Sequence, residues 1–170
     1  MNDQAAWEQA VANVDRMYAG LPPATATELD RLIESIMGLK QNLVELVTSA
    51  GSADICRTCG GDCCRFGKYH VSMLDIVAYL KSGAEMLVPD FSTNPYCPYS
   101  NVSGCTMAPR YRPMTCVVFN CQLVEDQLTP AQQETMRNHE QELRTAIAQA
   151  GRITGLRLDR ALLLSCSCNE

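Results

Sequence analysis

The sequence has few aromatic residues, no long apolar segment and no excess of positive charge. Only three Phe and one Trp occur among its 170 residues, so a core must be built mostly from Leu, Val, Ile, Ala and Met side chains. No stretch approaches the roughly 20 apolar residues that cross a bilayer, and we expect no membrane span. Fourteen Lys and Arg against nineteen Asp and Glu give a net charge of -5. This balance argues against general binding to nucleic acid or to an anionic membrane surface.

The composition is that of a globular chain, with 46% hydrophobic and 19% charged residues, and the length fits one domain. We predict a single domain over residues 1–170. It has a helical N-terminal region (1–52), a cysteine-rich region (54–122) and a helical C-terminal region (123–170). The expected fold class is mainly α, with a helical hairpin and C-terminal helices around an irregular, metal-clamped cysteine-rich segment.

The spacing of apolar residues predicts two N-terminal helices. The first covers 3–19 and ends at Gly20. The second begins with a capping box formed by Thr25 and Glu28. Over 27–48 its apolar residues recur at alternating steps of three and four, which is typical of a helix that packs against another helix of the chain or against a partner protein, including a second copy. The residues of this leucine stripe are Leu29, Leu32, Ile36, Leu39, Leu43 and Leu46.

The middle of the chain carries fewer helical signals. Ser72 with Asp75 predicts the start of a short helix that Gly83 ends. Residues 89–113 hold five of the eight prolines, and such a stretch has too few core residues to order itself, so we expect its cysteines to clamp it. We expect a short strand at 117–119.

A further helix follows the cysteine-rich region. Thr129 as N-cap, Pro130 at the first helical position and Gln132 form a capping-box-like start. We expect this helix to run to about Ala150 and to end at Gly151.

Ten cysteines are the feature that needs explanation. The N-terminus shows no basic leader before an apolar run, so we expect a cytoplasmic protein. In a reducing compartment a cysteine cluster is more often metal-binding or redox-active than a disulfide framework. Eight of the ten follow the pattern Cys-x2-Cys-x3-Cys-Cys, a gap of 32 residues, and Cys-x7-Cys-x10-Cys-x4-Cys. The candidate metal ligands are Cys56, Cys59, Cys63, Cys64, Cys97, Cys105, Cys116 and Cys121.

Eight sulfurs can furnish two four-coordinate sites, or one site with spare thiols. The adjacent residues Cys63 and Cys64 do not favour binding to the same ion, because adjacent side chains diverge and would be strained. Either they serve different sites or one of them is not a ligand. We interpret His70 as a surface or second-layer residue. Cys166 and Cys168 could join the cluster or form an exposed dithiol.

All-sulfur coordination suits zinc, cuprous copper or an iron-sulfur cluster, and disfavours magnesium, calcium and manganese. Four thiolates around a divalent ion leave a net charge of about -2. Residues 56–121 hold six basic and four acidic side chains. This local excess of two positive charges would offset part of the charge of a metal site.

The strings CRTCGGDCC and YCPYSNVSGCTMAPRYRPMTCVVFNC resemble the YkgJ-type cysteine-cluster family, which is described as zinc- or iron-chelating. The resemblance covers about residues 54–122. It implies that the eight cysteines named above are metal ligands, and it matches Arg112-Pro113 to an Arg-Pro element of the family. A related region occurs in flagellin lysine methylases, but this chain lacks a Gly-rich cofactor loop after a strand, so that activity is not carried over.

Three functions are therefore open. The first is a metalloprotein whose central cysteines hold an iron-sulfur cluster, with or without a second metal, and with a redox or structural role. In it, Arg112 would hydrogen-bond a ligand sulfur or loop carbonyls, and Pro98 and Pro113 would shape the ligand loops. The second is a structural zinc module that binds a protein through the leucine-striped helix. The third is a thiol-based oxidoreductase or protein-modifying enzyme, with Cys166, Cys168 or a spare central thiol as the reactive group.

Overall fold

The computed structural model describes residues 2–59, 62–93 and 96–165. In this part of the chain the fold is mainly helical, as predicted, with one two-stranded antiparallel sheet. The α-helices are α1 (Asp3–Ala19), α2 (Pro23–Ser49), α3 (Ser52–Cys59), α4 (Met73–Ser82), α5 (Met114–Val118), α6 (Gln122–Glu125), α7 (Pro130–Thr154) and α8 (Leu162–Ser165). The strands are β1 (Ser100–Asn101) and β2 (Gly104–Cys105).

The two N-terminal helices are present, but α2 starts differently from the prediction. Helix α1 has the predicted bounds, and the Asn2 side chain accepts a hydrogen bond from the Ala5 amide at 2.8 Å. Helix α2 begins at Pro23 rather than at a Thr25 capping box, and no side chain caps it. Proline suits the first helical position because its fixed φ is helical and the amide it lacks would have no partner there.

Helix α2 packs mainly along α7, and the leucine stripe faces this intramolecular contact. Four of the six stripe residues are buried and the other two are partly buried. Ile33, Met37, Val44 and Val47 are buried as well, so the apolar face is wider than a coiled-coil seam. Packing within the chain, one of the two predicted alternatives, therefore accounts for the stripe.

Helix α4 has both predicted ends. The Ser72 and Asp75 side chains each accept from the other residue's amide, and Gly83 follows the helix with φ of 63°. The segment before α8 pairs with the start of α4, because the Leu74 amide donates to the Leu158 carbonyl at 2.9 Å and the Leu162 amide to the Val71 carbonyl at 2.7 Å. This pairing closes the C-terminal part of the described chain onto α4.

Helix α7 begins at the predicted capping box but ends later than predicted. It continues through Gly151 to Thr154, and Gly155 with φ of 69° ends it. A Cβ atom at Gly151 would lie 3.2 Å from the Leu156 carbonyl oxygen. Gly151 therefore allows the returning chain to approach the helix, and it is not the helix terminator.

The predicted strand at 117–119 is wrong. Met114–Val118 form α5, with Pro113 as the N-cap residue. The buried Val117 side chain anchors this short helix in the core, and such burial overrides the strand preference of a β-branched residue. The observed strands lie earlier, where Ser100 pairs with Cys105 and Asn101 with Gly104.

An ion pair lies inside the fold between α2 and α4. Lys40 Nζ donates to Asp75 Oδ1 at 2.5 Å, and each side chain is only 1% exposed. Asp75 uses its other oxygen to accept from the Ser72 amide at 2.8 Å and from the Ser72 hydroxyl at 2.7 Å. Because the carboxylate is shared between the ion pair and the helix cap, it fixes the start of α4 against α2.

We predict that Lys40→Met lowers the free energy of unfolding by about 3 kcal/mol, because it leaves the Asp75 carboxylate buried without its cation. The matched control is Lys81→Met, which removes the Lys81–Glu34 pair, whose carboxylate is 52% exposed. Exposed pairs contribute less than about 1 kcal/mol. Urea unfolding followed by circular dichroism measures both, and equal losses in the two variants would contradict the structural role of the buried pair.

Candidate metal centre

The eight central cysteines come from six parts of the fold. Cys56 and Cys59 lie on α3, and Cys63 and Cys64 lie on the 3-10 turn Asp62–Cys64. The other four follow in a proline-rich loop, on β2, on α5 and at the N-cap of α6. All eight are free thiols, and none of them is fully buried.

One group of neighbouring thiols consists of Cys56, Cys59, Cys63 and Cys121. Burial is the main cause that raises the pKa of the Cys56 thiol. The thiols of Cys63, Cys59 and Cys121 raise this pKa further because a nearby thiolate disfavours a second one. The Cys59 thiol also donates to the Cys56 carbonyl at 3.4 Å. Helix α3 contacts α6, and this contact brings Cys121 to the group although it is 57 residues later than Cys64.

A second group consists of Cys64, Cys97, Cys105 and Cys116. Burial raises the pKa of Cys64 to about 12, helped first by Cys63 and then by Cys97 and Cys105. The pKa of Cys116 is raised well above its ordinary value, by burial and then by Cys105, Cys97 and Cys64. Cys64 and Cys116 are nevertheless exposed as residues. The two groups are joined at Cys63 and Cys64, because the Cys63 thiol has the largest influence of any thiol on Cys64 and hydrogen-bonds to it.

The proline-rich loop is held by more than its cysteines. Tyr99 and Met107 are each only 4% exposed and belong to the main core. The Tyr111 ring stacks on Tyr79 of α4 with the ring centroids 4.2 Å apart, and its hydroxyl donates to Ser82 Oγ at 2.9 Å. The expectation that this stretch has too few core residues to order itself is therefore wrong. It presents Cys97 and Cys105 from a loop that is already anchored.

Gly67 is a residue of this site that sequence reasoning missed. A Cβ atom at position 67 would lie 2.4 Å from Cys97 Sγ and 2.7 Å from Cys97 Cβ. The backbone of 67 thus packs directly against the thiol, and only glycine permits that approach. Its φ is not in the left-handed region, so the requirement is for space and not for backbone conformation.

Two further polar side chains lie beside the thiols. His70 Nδ1 is 3.3 Å from Cys116 Sγ, where it can donate a hydrogen bond in the Nδ1–H tautomer. Burial lowers the pKa of His70, which favours the neutral ring. The Arg112 guanidinium lowers the pKa of Cys56, against the larger raising effects, and its Nε donates to the Met107 carbonyl at 3.2 Å. The predicted contact of Arg112 with a loop carbonyl is confirmed.

The two groups fit a thiophilic metal in donor type and number, but the donors do not yet surround a common centre. Within residues 2–59, 62–93 and 96–165, no three His, Cys, Asp or Glu side chains are arranged to hold a metal ion. A metal would have to displace the thiol protons and draw the sulfurs together. Cys166 and Cys168, the remaining candidates, lie outside the described residues.

Comparisons of the chain with protein-family models, with curated proteins and with solved structures found no match. The helices of the described residues include none with the length and apolar character needed to cross a membrane. The function must therefore be inferred from the residues and their geometry.

We predict that Gly67→Ala destabilises the protein by about 1–3 kcal/mol, because the new methyl group must displace Cys97. Gly38→Ala in α2 is the matched control, since a Cβ there meets no atom within 4 Å. Replacing a helical glycine at such a position should raise stability by up to about 1 kcal/mol. Urea unfolding curves of the two variants check this, and a Gly67→Ala protein as stable as Gly38→Ala would refute the close contact.

Proposed function

We propose that this protein is a metalloprotein whose eight central cysteines bind an iron-sulfur cluster and a second thiophilic metal. The observation that carries the proposal is that eight free thiols, distant in sequence, come near one another, since Cys56, Cys64 and Cys116 are each influenced by three other thiols. Four thiolates can coordinate a zinc ion or a four-iron cluster. The resemblance of residues 54–122 to the YkgJ-type family supports the same ligand set.

The surroundings of the thiols suit a negatively charged metal centre. Arg112 lies close enough to Cys56 to lower its pKa, and His70 contacts the Cys116 sulfur. Charges and hydrogen bonds near cluster sulfurs tune the potential of the centre. When bound, an iron-sulfur cluster would supply one-electron transfer, while the cysteines hold it and these two side chains adjust its charge balance. Free thiols in this number also suit a reducing compartment such as the cytoplasm.

A structural contribution of the metal is supported by the weak packing of the first ligand segment. No side chain of helix α3 or of the turn Asp62–Cys64 is fully buried, so apolar contacts do little to hold these elements. A metal bound to Cys56, Cys59, Cys63 and Cys121 would cross-link this segment to α6. This observation applies equally to the second candidate function, a structural zinc module. Its partner protein or second copy would have to contact the exposed face of the helix Pro23–Ser49, because the leucine stripe is buried within the chain.

A thiol-based enzyme is less well supported. A nucleophilic or redox-active thiol needs a depressed pKa in an accessible place. The pKa values of Cys56, Cys64, Cys97 and Cys116 are all shifted upwards, with burial as the leading cause. Free thiols of this kind stay protonated at neutral pH, and a bound metal is the means by which such thiols become thiolates.

The test is to purify the protein without oxygen and to measure iron, zinc and labile sulfide per chain. We expect a brown protein with about four iron and four sulfide. Cys59→Ser should lower the metal content and the melting temperature together, because metal binding and local folding are coupled. Thr58→Ser is the control, since it keeps a hydroxyl that can donate to the Asp54 carbonyl. A colourless protein with zinc and no sulfide would favour the structural module, and a chain that binds neither metal would refute the proposal.

A further inference from the structure

We propose that a hollow between α7, the start of α5 and the loop 156–159 binds a small organic molecule that has one carboxylate and an apolar body. The hollow has a volume of about 570 Å³, which is within the range of small-molecule sites. None of the eight central cysteines is among the described residues that line it. The inference therefore goes beyond the proposed metal function.

The hollow exists because the chain reverses at the end of α7 over a face of small side chains. Gly155, with φ of 69°, ends the helix and turns the chain. The loop then returns along α7, and Gly151 permits this, since a Cβ atom there would lie 3.2 Å from the Leu156 carbonyl oxygen. Ala148, Gly151 and Gly155 follow one another at steps of three and four and therefore lie on one face of the helix. Because these residues lack larger side chains, the space beside them stays open.

The floor of the hollow is apolar. Ile147 of α7 and Leu158 of the loop are 9% and 1% exposed, belong to the main core and line the hollow. Met114, the first residue of α5, lines another side. The lining residues that the structure describes include no aromatic side chain, so the base of a nucleotide would find no stacking partner there. An aliphatic body fits this floor.

Arginines surround the apolar floor, although the chain as a whole has a net charge of -5. Arg144, Arg152 and Arg157 line the hollow together with one acidic residue, Asp159. Arg144 is already bound, since its guanidinium donates to Glu140 Oε1 at 2.6 and 2.8 Å. With Glu140 included, three positive and two negative side chains leave one net positive charge. This balance favours a ligand with a single negative charge.

Arg152 and Arg157 are the arginines available to hold the carboxylate. In the described part of the chain, Arg152 has no carboxylate within ion-pair distance. Arg157 has a long contact from its Nε to Asp159 Oδ1, at 3.5 Å. Arg152 also offsets the partial negative charge at the end of α7, but that role does not involve Arg157. A guanidinium binds a carboxylate through two parallel hydrogen bonds, and the apolar floor beside these two arginines then takes the body of the ligand.

The test is isothermal titration calorimetry of the full-length protein, as purified, with octanoate as the probe. We expect one octanoate per chain. Acetate lacks the apolar body and 1-octanol lacks the charge, so each should bind at least about tenfold more weakly. Higher ionic strength should weaken octanoate binding, because salt screens exposed charges. A chain that binds no octanoate, or that binds acetate, 1-octanol or inorganic phosphate as tightly, overturns the proposal.

Arg152→Gln and Arg144→Gln are matched variants two turns apart on α7. Arg152→Gln should lower the affinity for octanoate about tenfold, since it removes a charged hydrogen-bond donor. Arg144→Gln should change the affinity by less than about threefold, because Glu140 already holds that guanidinium. Equal losses in the two variants would contradict the assignment of the carboxylate to Arg152.

Ala148→Leu and Ala131→Leu are a second matched pair. Both alanines are exposed on α7, and of the two only Ala148 lines the hollow. Ala148→Leu should abolish octanoate binding by filling the space, without a lower melting temperature. Ala131→Leu should leave the affinity and the melting temperature unchanged. Octanoate that still binds to a folded Ala148→Leu protein would bind elsewhere, and the proposal would be wrong.

A measurement on the wild-type chain covers variants that fail to fold. Nuclear Overhauser contacts should join the octanoate methylene protons to the methyl groups of Met114, Ile147 and Leu158. Contacts made only to methyl groups outside the hollow would refute the site. None of these measurements depends on bound metal, so their failure would leave the proposed metal function standing.

Discussion

The apolar contact between α2 and α7 is the interaction on which the rest of the structure depends. Leu29, Ile33 and Leu43 of α2 and Leu143 of α7 are inaccessible to solvent, and none of these helices contains a cysteine. Helix α4 joins this body through the buried Lys40–Asp75 pair and through its own apolar residues. The helical body is thus assembled by burial of aliphatic side chains, and the thiols are attached to its outside.

This arrangement explains why the two thiol groups differ. The residues around Cys97, Cys105 and Cys116 are fixed by Tyr99, Met107 and Val117, which reach the core. Helix α3 makes no comparable contribution. Proximity to the core therefore decides which thiols the fold itself positions.

Sequence reasoning succeeded where a local signal determines the structure. The bounds of α1, both ends of α4 and the capping box of α7 follow from residues that act within one helical turn. It failed where a distant contact decides, as at Gly151, which accommodates Leu156, and at Val117, which the core holds in a helix. For the thiols, the adjacency of Cys63 and Cys64 predicts that they serve different sites or that one of them is not a ligand, and this stays a prediction. Three features of the site could not be predicted from the sequence because they depend on tertiary contacts. They are the approach of the cysteines of 56–64 to the cysteines of 97–121, the contact of His70 with Cys116 and the packing of Gly67 against Cys97.

The separation between an aliphatic helical body and the external segment with Cys56 and Cys59 has a consequence for the proposed metal site. Regions that bury little open at low free-energy cost while the rest of a domain stays folded. Helix α3 can therefore detach and return without melting α2 and α7, which do not rely on it. Metal exchange at Cys56 and Cys59 would then be governed by this local opening and not by global unfolding. The chain could fold first, receive its metal afterwards from a donor molecule, and lose it again without being committed to degradation.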